Sequence, residues 1–366
     1  MATSREIRLK SHPVGLPTAE NFELATVSVP APGPGEVQVK NLWMSVDPYM
    51  RGRMVARAGP APAFRVSETF QWDTKGENAA SNSVMYGWRP PFQLGEALQG
   101  GAVGEVAASS DPAFKPGDLV FSAFGWREWF NAPAETLRKL DTVGLPPQTF
   151  LGVAGMTGLT AWSGLLKVAG LKPGDVVFVS SAAGAVGSAV CQIAKLKGHT
   201  VIGSAGGVEK CAFLKEIGVD HVVDYKATGN LTDALLRAAP SGIDVYFDNV
   251  GGAHLEAALA AANQFARFAL CGMISVYNAT GLPDGPRNIM FVVGKSIRLE
   301  GFTVSNYFNL IPEFERDMTG WIHEGKVAWK ETVEQGIENA PTAFLKLFKG
   351  ENFGKTLVKL GDTNTR

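Results

Sequence analysis

Residues 175–190 read Asp-Val-Val-Phe-Val-Ser-Ser-Ala-Ala-Gly-Ala-Val-Gly-Ser-Ala-Val. A continuous apolar run, 175–180, meets a turn of small residues. The turn opens at once into a stretch, 184–197, with Val186, Val190, Ile193 and Ala194 on one helical face. An unbroken apolar run of this length suits a strand buried on both faces. Strand, tight turn and helix in direct succession then require the helix to lie back over a parallel sheet. The rest of the second half repeats the alternation. Segments 200–203, 221–224, 243–247, 266–271 and 296–302 have strand patterns, and 157–168, 208–217, 231–238 and 253–262 have helical ones. The fold class read from this is α/β, with an open parallel sheet.

The turn also carries chemistry. Gly184 lets the backbone approach a phosphate, and Gly187 permits close packing of helix on strand. The unpaired N–H groups and the dipole of the helix start attract an anion. Ala183, Gly184, Ala185, Val186 and Gly187 are thus the expected cradle of a dinucleotide pyrophosphate, although Ala182 stands where the full fingerprint has its first glycine. The second strand runs out into Ser204-Ala205-Gly206-Gly207. No carboxylate stands there to hold a ribose 2′-hydroxyl, as an NAD site requires. Lys210 lies just inside the next helix instead, where a cation suits a 2′-phosphate. The expected cofactor is NADP(H). The near-match Gly350-Glu-Asn-Phe-Gly354-Lys355-Thr356 is one residue too short for a P-loop and precedes a strand, not a helix. No G-x-S-x-G elbow supports serine hydrolase chemistry.

The first half is of a different texture. Residues 1–54 read as short strands broken by turns, such as Pro30-Ala-Pro-Gly-Pro-Gly-Glu36, and 100–106 and 118–122 read as further strands. This part is predominantly β. Segment 55–89 has weak periodicity but carries Phe64, Phe70, Trp72, Tyr86 and Trp88. A loop of that length is expected to serve as a lid, the rival readings being an oligomer contact or a mobile surface loop. Beyond the alternating region, 309–324 and 341–348 read as helices, 332–333 as a short strand, and 356–360 as a strand returning to the first domain.

Several classes are disfavoured. With 34 basic against 35 acidic residues and a net charge of −1, no nucleic-acid partner is expected. The absence of an apolar N-terminal segment and of any run of 18 apolar residues argues against a signal peptide and a membrane span. Three scattered cysteines, Cys191, Cys211 and Cys271, fit a reducing compartment and hence the cytoplasm. They and the five histidines, His12, His199, His221, His254 and His323, show no metal-ligand spacing.

At this point the sequence resembles the medium-chain dehydrogenase/reductase superfamily, in its zinc-independent branch. That branch holds leukotriene B4 12-hydroxydehydrogenase/prostaglandin reductase, plant alkenal double-bond reductases and, most similar, bacterial curcumin reductase. The resemblance lies in Val46-Asp-Pro-Tyr-Met-Arg-Gly-Arg-Met54, Gly155-Met-Thr-Gly-Leu-Thr-Ala161, Ala183-Gly-Ala-Val-Gly187 and Gly206-Gly-Val-Glu-Lys210. It continues in Asp248-Asn-Val-Gly-Gly252, Cys271-Gly-Met-Ile-Ser-Val-Tyr-Asn278 and Gly350-Glu-Asn-Phe-Gly-Lys355. Zinc-dependent members carry a Gly-His-Glu motif, and Gly95-Glu-Ala-Leu-Gln-Gly-Gly-Ala-Val-Gly104 has no histidine. No metal is therefore expected.

The resemblance implies a GroES-like, mainly β catalytic domain over 1–140 with 55–89 inserted. A doubly wound Rossmann domain would span 141–325, and 326–366 would return to the first domain. It implies that Lys210 and Tyr225 contact the 2′-phosphate. Met156 and Thr157 would lie near the pyrophosphate and nicotinamide, with Asn249, Cys271 and Asn352 on the nicotinamide side. Tyr277 would hydrogen-bond the nicotinamide ribose or the substrate oxygen, Tyr49 would line the substrate cleft, and the chain would form a homodimer. The implied activity is NADPH-dependent reduction of the C=C bond of an enone or alkenal. A quinone oxidoreductase and a non-catalytic NADPH-binding protein remain as alternatives.

Overall fold

The apolar runs of the second half become strands because the helices that connect them cover both faces of the sheet. In the computed structural model, which describes residues 1–55, 91–281 and 283–362, six strands lie side by side. Their order is His221–Asp224, Thr200–Ala205, Val176–Val179, Ile243–Asp248, Ala262–Leu270 and Arg298–Gly301. Every pairing is parallel. Numbered along the chain the order is 3-2-1-4-5-6, the Rossmann arrangement. It reverses between Val176–Val179 and Ile243–Asp248, and a crevice opens beyond the carboxyl ends of strands at such a reversal.

Register builds the core of this sheet. Phe178, Tyr246 and Phe268 stand opposite one another on three neighbouring strands. Tyr246 stacks on Phe178 at 5.0 Å and meets Phe268 edge-on at 5.2 Å. All three are buried, and aromatic pairs of this kind add ~0.5–1.5 kcal/mol each beyond the area they bury. Phe247 points to the other face and meets Phe302 edge-on at 6.1 Å. Gly164 closes against that pair, since a Cβ there would lie 2.6 Å from the Phe247 ring.

One strand departs from its sequence pattern. The pattern starts at Ala266, but the strand starts at Ala262, directly after the helix Gly252–Ala261. Its register against Ile243–Asp248 shifts between Ile243 and Val245, and Phe265 takes a φ of 63°. The extra residues bulge out and break the period of two over Asn263-Gln264-Phe265, which hides the strand's first turnless residues from pattern reading.

The chain folds as two units. One holds Val153–Lys330 with Phe353–Lys355, and the other holds Met1–Gly152, Glu331–Asn352 and Thr356–Arg366. In the second of these, the long strand Glu36–Ser45 pairs antiparallel with Ala102–Ser109, Trp129–Pro133 and Lys355–Lys359. A separate hairpin joins Ala2–Leu9 to Phe22–Val29. Phe22 and Trp126 lie parallel at 6.3 Å, and the Phe344 ring meets each edge-on at 6.2 Å. Segment 55–89 lies outside the described residues apart from Val55.

Candidate functional site

The glycine-rich turn is built by exclusion of side chains. Ser181, at φ 50°, turns the chain out of the strand Val176–Val179, and Gly184 caps the helix Ala185–Leu196. A Cβ on Gly187 would run into the Ser181 carbonyl oxygen and lie 2.8 Å from the Ala182 Cα. Those are backbone atoms, so only glycine lets the helix start this close to the strand. At Gly184 a Cβ would stand 3.1 Å from the Ser181 carbonyl and hydroxyl oxygens. The Gly354 N–H donates to the Ala183 carbonyl at 3.1 Å. Ala183, Gly184, Ala185, Val186 and Gly187 thus form the cap and first turn of a twelve-residue helix. Its outward N–H groups make an anion site. Met156 and Thr157 open a second helix, Met156–Ser163, which packs against it.

At one side of the turn, the ends of the second and third strands meet. The Tyr225 N–H donates to the Ala205 carbonyl at 3.1 Å. Asp224 Oδ1 accepts from the N–H groups of Gly207 at 3.1 Å and Lys226 at 3.0 Å. These bonds hold the Asp224 carboxyl below its ordinary range, the Gly207 N–H contributing most. They also set the Tyr225 ring over Gly206, and the buried His254 ring meets Tyr225 edge-on at 5.3 Å. Burial lowers the Lys210 ammonium, and the nearby charge of Lys226 lowers it further. Two cations and a phenol therefore converge there, beside an Asp224 carboxylate that is turned onto the Gly207 and Lys226 N–H groups. Lys226 is absent from the sequence reading. The signal was present, because residues that follow neighbouring parallel strands must lie side by side, and Lys226 follows the third strand as Gly206 follows the second.

The other side is the reversal point. Asp248, fully buried, ends the fourth strand. Its Oδ1 accepts from Tyr246 Oη at 2.7 Å, Gly251 N at 2.8 Å, Val250 N at 2.9 Å and Ser180 Oγ at 3.2 Å. Its Oδ2 is buried without a hydrogen-bond partner. Burial raises the carboxyl pKa, and the four donors oppose that rise. Asn249 is locked to the first strand: its N–H donates to Ser180 Oγ at 2.9 Å, and its Nδ2 to the Ser180 carbonyl at 2.8 Å. The Asp248 carbonyl accepts from Cys271 and Gly272 N–H at 2.9 and 3.0 Å. The Tyr277 hydroxyl then lies over Gly272, where a Cβ would be 2.9 Å from it, and accepts from Met273 N–H at 3.1 Å. Accepting that bond uses a lone pair of the phenol oxygen and not its hydrogen. Burial and the Asp248 charge push the Cys271 thiol up to about 12, so Cys271 is neutral packing and not a nucleophile.

Asn249, Cys271 and Tyr277 are thus brought together beyond the ends of the fourth and fifth strands. Gly206, Lys210 and Tyr225 are brought together on the other side of the turn. Tyr49 and Asn352 belong to the other unit. There Tyr49, in the turn Pro48–Met54, packs on the core around Met44 and Met50, and Asn352 is half-buried. Among the described residues no group of three or more His, Cys, Asp or Glu side chains is placed to hold a metal. Among the same residues no helix is long and apolar enough to cross a membrane.

A family model described as zinc-binding dehydrogenase matches residues 185–323. One described as N-terminal domain of oxidoreductase matches 5–87 and 80–140. A putative NADP-dependent oxidoreductase of Bacillus subtilis is 42% identical over 364 residues, with 99% of each chain covered. The NADPH-dependent curcumin reductase of Escherichia coli is 38% identical over 96% of this chain and 95% of its own. Prostaglandin reductase 1 of Bos taurus is 40% identical over 98% and 100%. The crystal structure of CurA from Vibrio vulnificus in complex with NADPH is 39% identical, with a TM-score of 0.85 over 98% of this chain and 99% of that one.

Proposed function

The chain belongs to the medium-chain dehydrogenase/reductase family, in the branch of curcumin, prostaglandin and alkenal reductases, and we propose that it reduces the carbon–carbon double bond of α,β-unsaturated ketones and aldehydes with NADPH. The observation that carries this reading is the pair of side-chain clusters beyond the carboxyl ends of the parallel strands. One gathers Lys210, Tyr225 and Lys226 for a 2′-phosphate, and the other aligns Asn249 and Tyr277. The cofactor fits the residues present, because the outward N–H groups of the helix start at Gly184 suit a pyrophosphate, and Lys210 and Lys226 suit a 2′-phosphate.

When bound, NADPH supplies the hydride that the β-carbon of the substrate accepts. The chain's own part is to place and polarise. The helix start at Gly184 neutralises the pyrophosphate, with Met156 and Thr157 beside it. Asn249, fixed through Ser180, orients the nicotinamide side. As charge develops on the carbonyl oxygen, the Tyr277 hydroxyl donates to it, and a phenol stays protonated at neutral pH. The α-carbon takes its proton from solvent or a tyrosine. The cysteines Cys191, Cys211 and Cys271 are unpaired, which suits the cytoplasm, and the chain acts as a homodimer.

The test is a screen of NADPH oxidation over alkenals, enones, curcuminoids and quinones. Turnover of enones and alkenals is expected. Turnover of quinones alone would replace the reading with a quinone oxidoreductase, and no NADPH consumption at all with a non-catalytic binding protein.

A further inference from the structure

We infer that Gly206 is a specificity-determining position: its missing side chain is what allows Tyr225 and Lys226 to close over the end of the second strand and read the cofactor's 2′-phosphate. This rests on the cofactor reading above and assigns a cause to it. Glycine is called for either by backbone conformation or by space. Gly207 needs it for conformation, with a φ of 98°, but Gly206 is not among the glycines of positive φ. Space remains. A Cβ on Gly206 would lie 2.8 Å from both Cζ and the hydroxyl of Tyr225 and 2.9 Å from Cε of Lys226.

One point is therefore crowded by the phenol and the lysine stem together, so the two groups are neighbours on top of the glycine. They are held there from below and behind. Asp224 ties the N–H groups of Gly207 and Lys226 to one carboxylate oxygen, and the Ala205 carbonyl holds the Tyr225 N–H. The His254 ring backs the phenol edge-on. A dianion beside Lys210 and Lys226 gains charge-assisted hydrogen bonds and relieves the repulsion between the two ammonium groups. Both Tyr225 and Lys226 end in exposed, rotatable tips. An added methyl group would swing them aside and leave the backbone unmoved. The predicted consequence is lost recognition in a folded protein.

The experiment is calorimetric titration of the full chain with adenosine 2′,5′-diphosphate and with 5′-AMP, which differ only in the 2′-phosphate. The wild type should prefer the diphosphate. Gly206→Ala should lose at least ~10-fold in affinity for it, the worth of a hydrogen bond to a charged group. It should bind 5′-AMP as before and melt within about 2 °C of the wild type. With Tyr225→Ala and Lys226→Ala already present, adding Gly206→Ala should change the affinity less than about twofold, because the groups it displaces are gone. A wild type without preference for the 2′-phosphate would overturn the cofactor reading itself. A Gly206→Ala protein that keeps the full preference, or weakens both ligands alike, would overturn this inference and leave that reading standing.

Discussion

Tyr277 shows how a single hydroxyl is aimed. Gly272 makes room for it, and the Met273 N–H fixes its oxygen at 3.1 Å. Tyr277→Phe keeps the ring and removes the hydroxyl, both its hydrogen and the acceptor of the Met273 N–H, so turnover should fall at least ~10-fold while the affinity for NADPH stays; an unchanged kcat would reduce Tyr277 to a packing residue. His254 offers a second test. Its ring is buried, its Nε2 has no partner, and burial lowers its pKa from 6.5 to about 4. The unfolded chain then binds a proton that the folded one refuses, so the contribution is whole above pH 6.5 and drains away as pH falls towards about 4. The shift corresponds to ~3 kcal/mol. Melting curves should show wild-type Tm falling more steeply over that window than the Tm of His254→Phe, and parallel curves would contradict the assignment. Legibility at this scale followed chemistry. The glycines and Lys210 could be read from residue type and place. Asn249 and Tyr277 were reached only through resemblance, since their partners Ser180 and Met273 are set by strand adjacency and a local turn.

Among elements, the loop after the fourth strand depends on one carboxylate. Four donors converge on Asp248 Oδ1, two of them N–H groups of that loop. Removing the acceptor leaves buried donors unsatisfied at ~1–3 kcal/mol each. Asp248→Ala should lower Tm by roughly 10 °C or more and raise the KM for NADPH, because Asn249 and the Cys271–Gly272 turn lose their anchor. Asp248→Asn retains an acceptor at Oδ1 and should lose much less; equal damage from both would show that the charge, not the acceptor, matters. Nothing in Asp248-Asn-Val-Gly-Gly252 marks the aspartate as a hub, because two of its four donors lie outside that stretch: Tyr246 on the same strand, and Ser180 68 residues earlier, just past the neighbouring strand Val176–Val179. Elements themselves were legible where burial on both faces gave an unbroken apolar run, as at Val176–Val179. They were misjudged where a bulge broke the pattern, as at Ala262–Leu270. The returning strand Lys355–Lys359 pairs Leu357 with Ser45, and no local pattern names that partner.

For the whole molecule, the parallel sheet raises the question of its last edge. Among the described residues, Arg298–Gly301 pairs only with Ala262–Leu270. Among the same residues no strand pairs with its other side, and an open row of backbone groups is a hazard that proteins usually cover. Nearby, Met290 is 75% exposed, Val293 79% and Phe265 68%. A two-fold axis through Leu299 would satisfy the edge by pairing the strand antiparallel with itself in a second copy, doubling the six-stranded sheet. The charges suit that register. Arg298 and Glu300 point to the same face and already pair within one strand at 3.4 Å. In the antiparallel pair each Arg298 would oppose the Glu300 of the other copy, and opposite charges so placed add ~0.2–1 kcal/mol each. Sedimentation of the wild type should therefore give twice the mass of the chain. Glu300→Arg sets like charges opposite each other and Val293→Glu puts a carboxylate into the apolar surround, so each should shift the equilibrium towards the single chain as the protein is diluted. A wild type that sediments as a single chain at all concentrations would remove the dimer, and variants that stay paired would move the contact to another face.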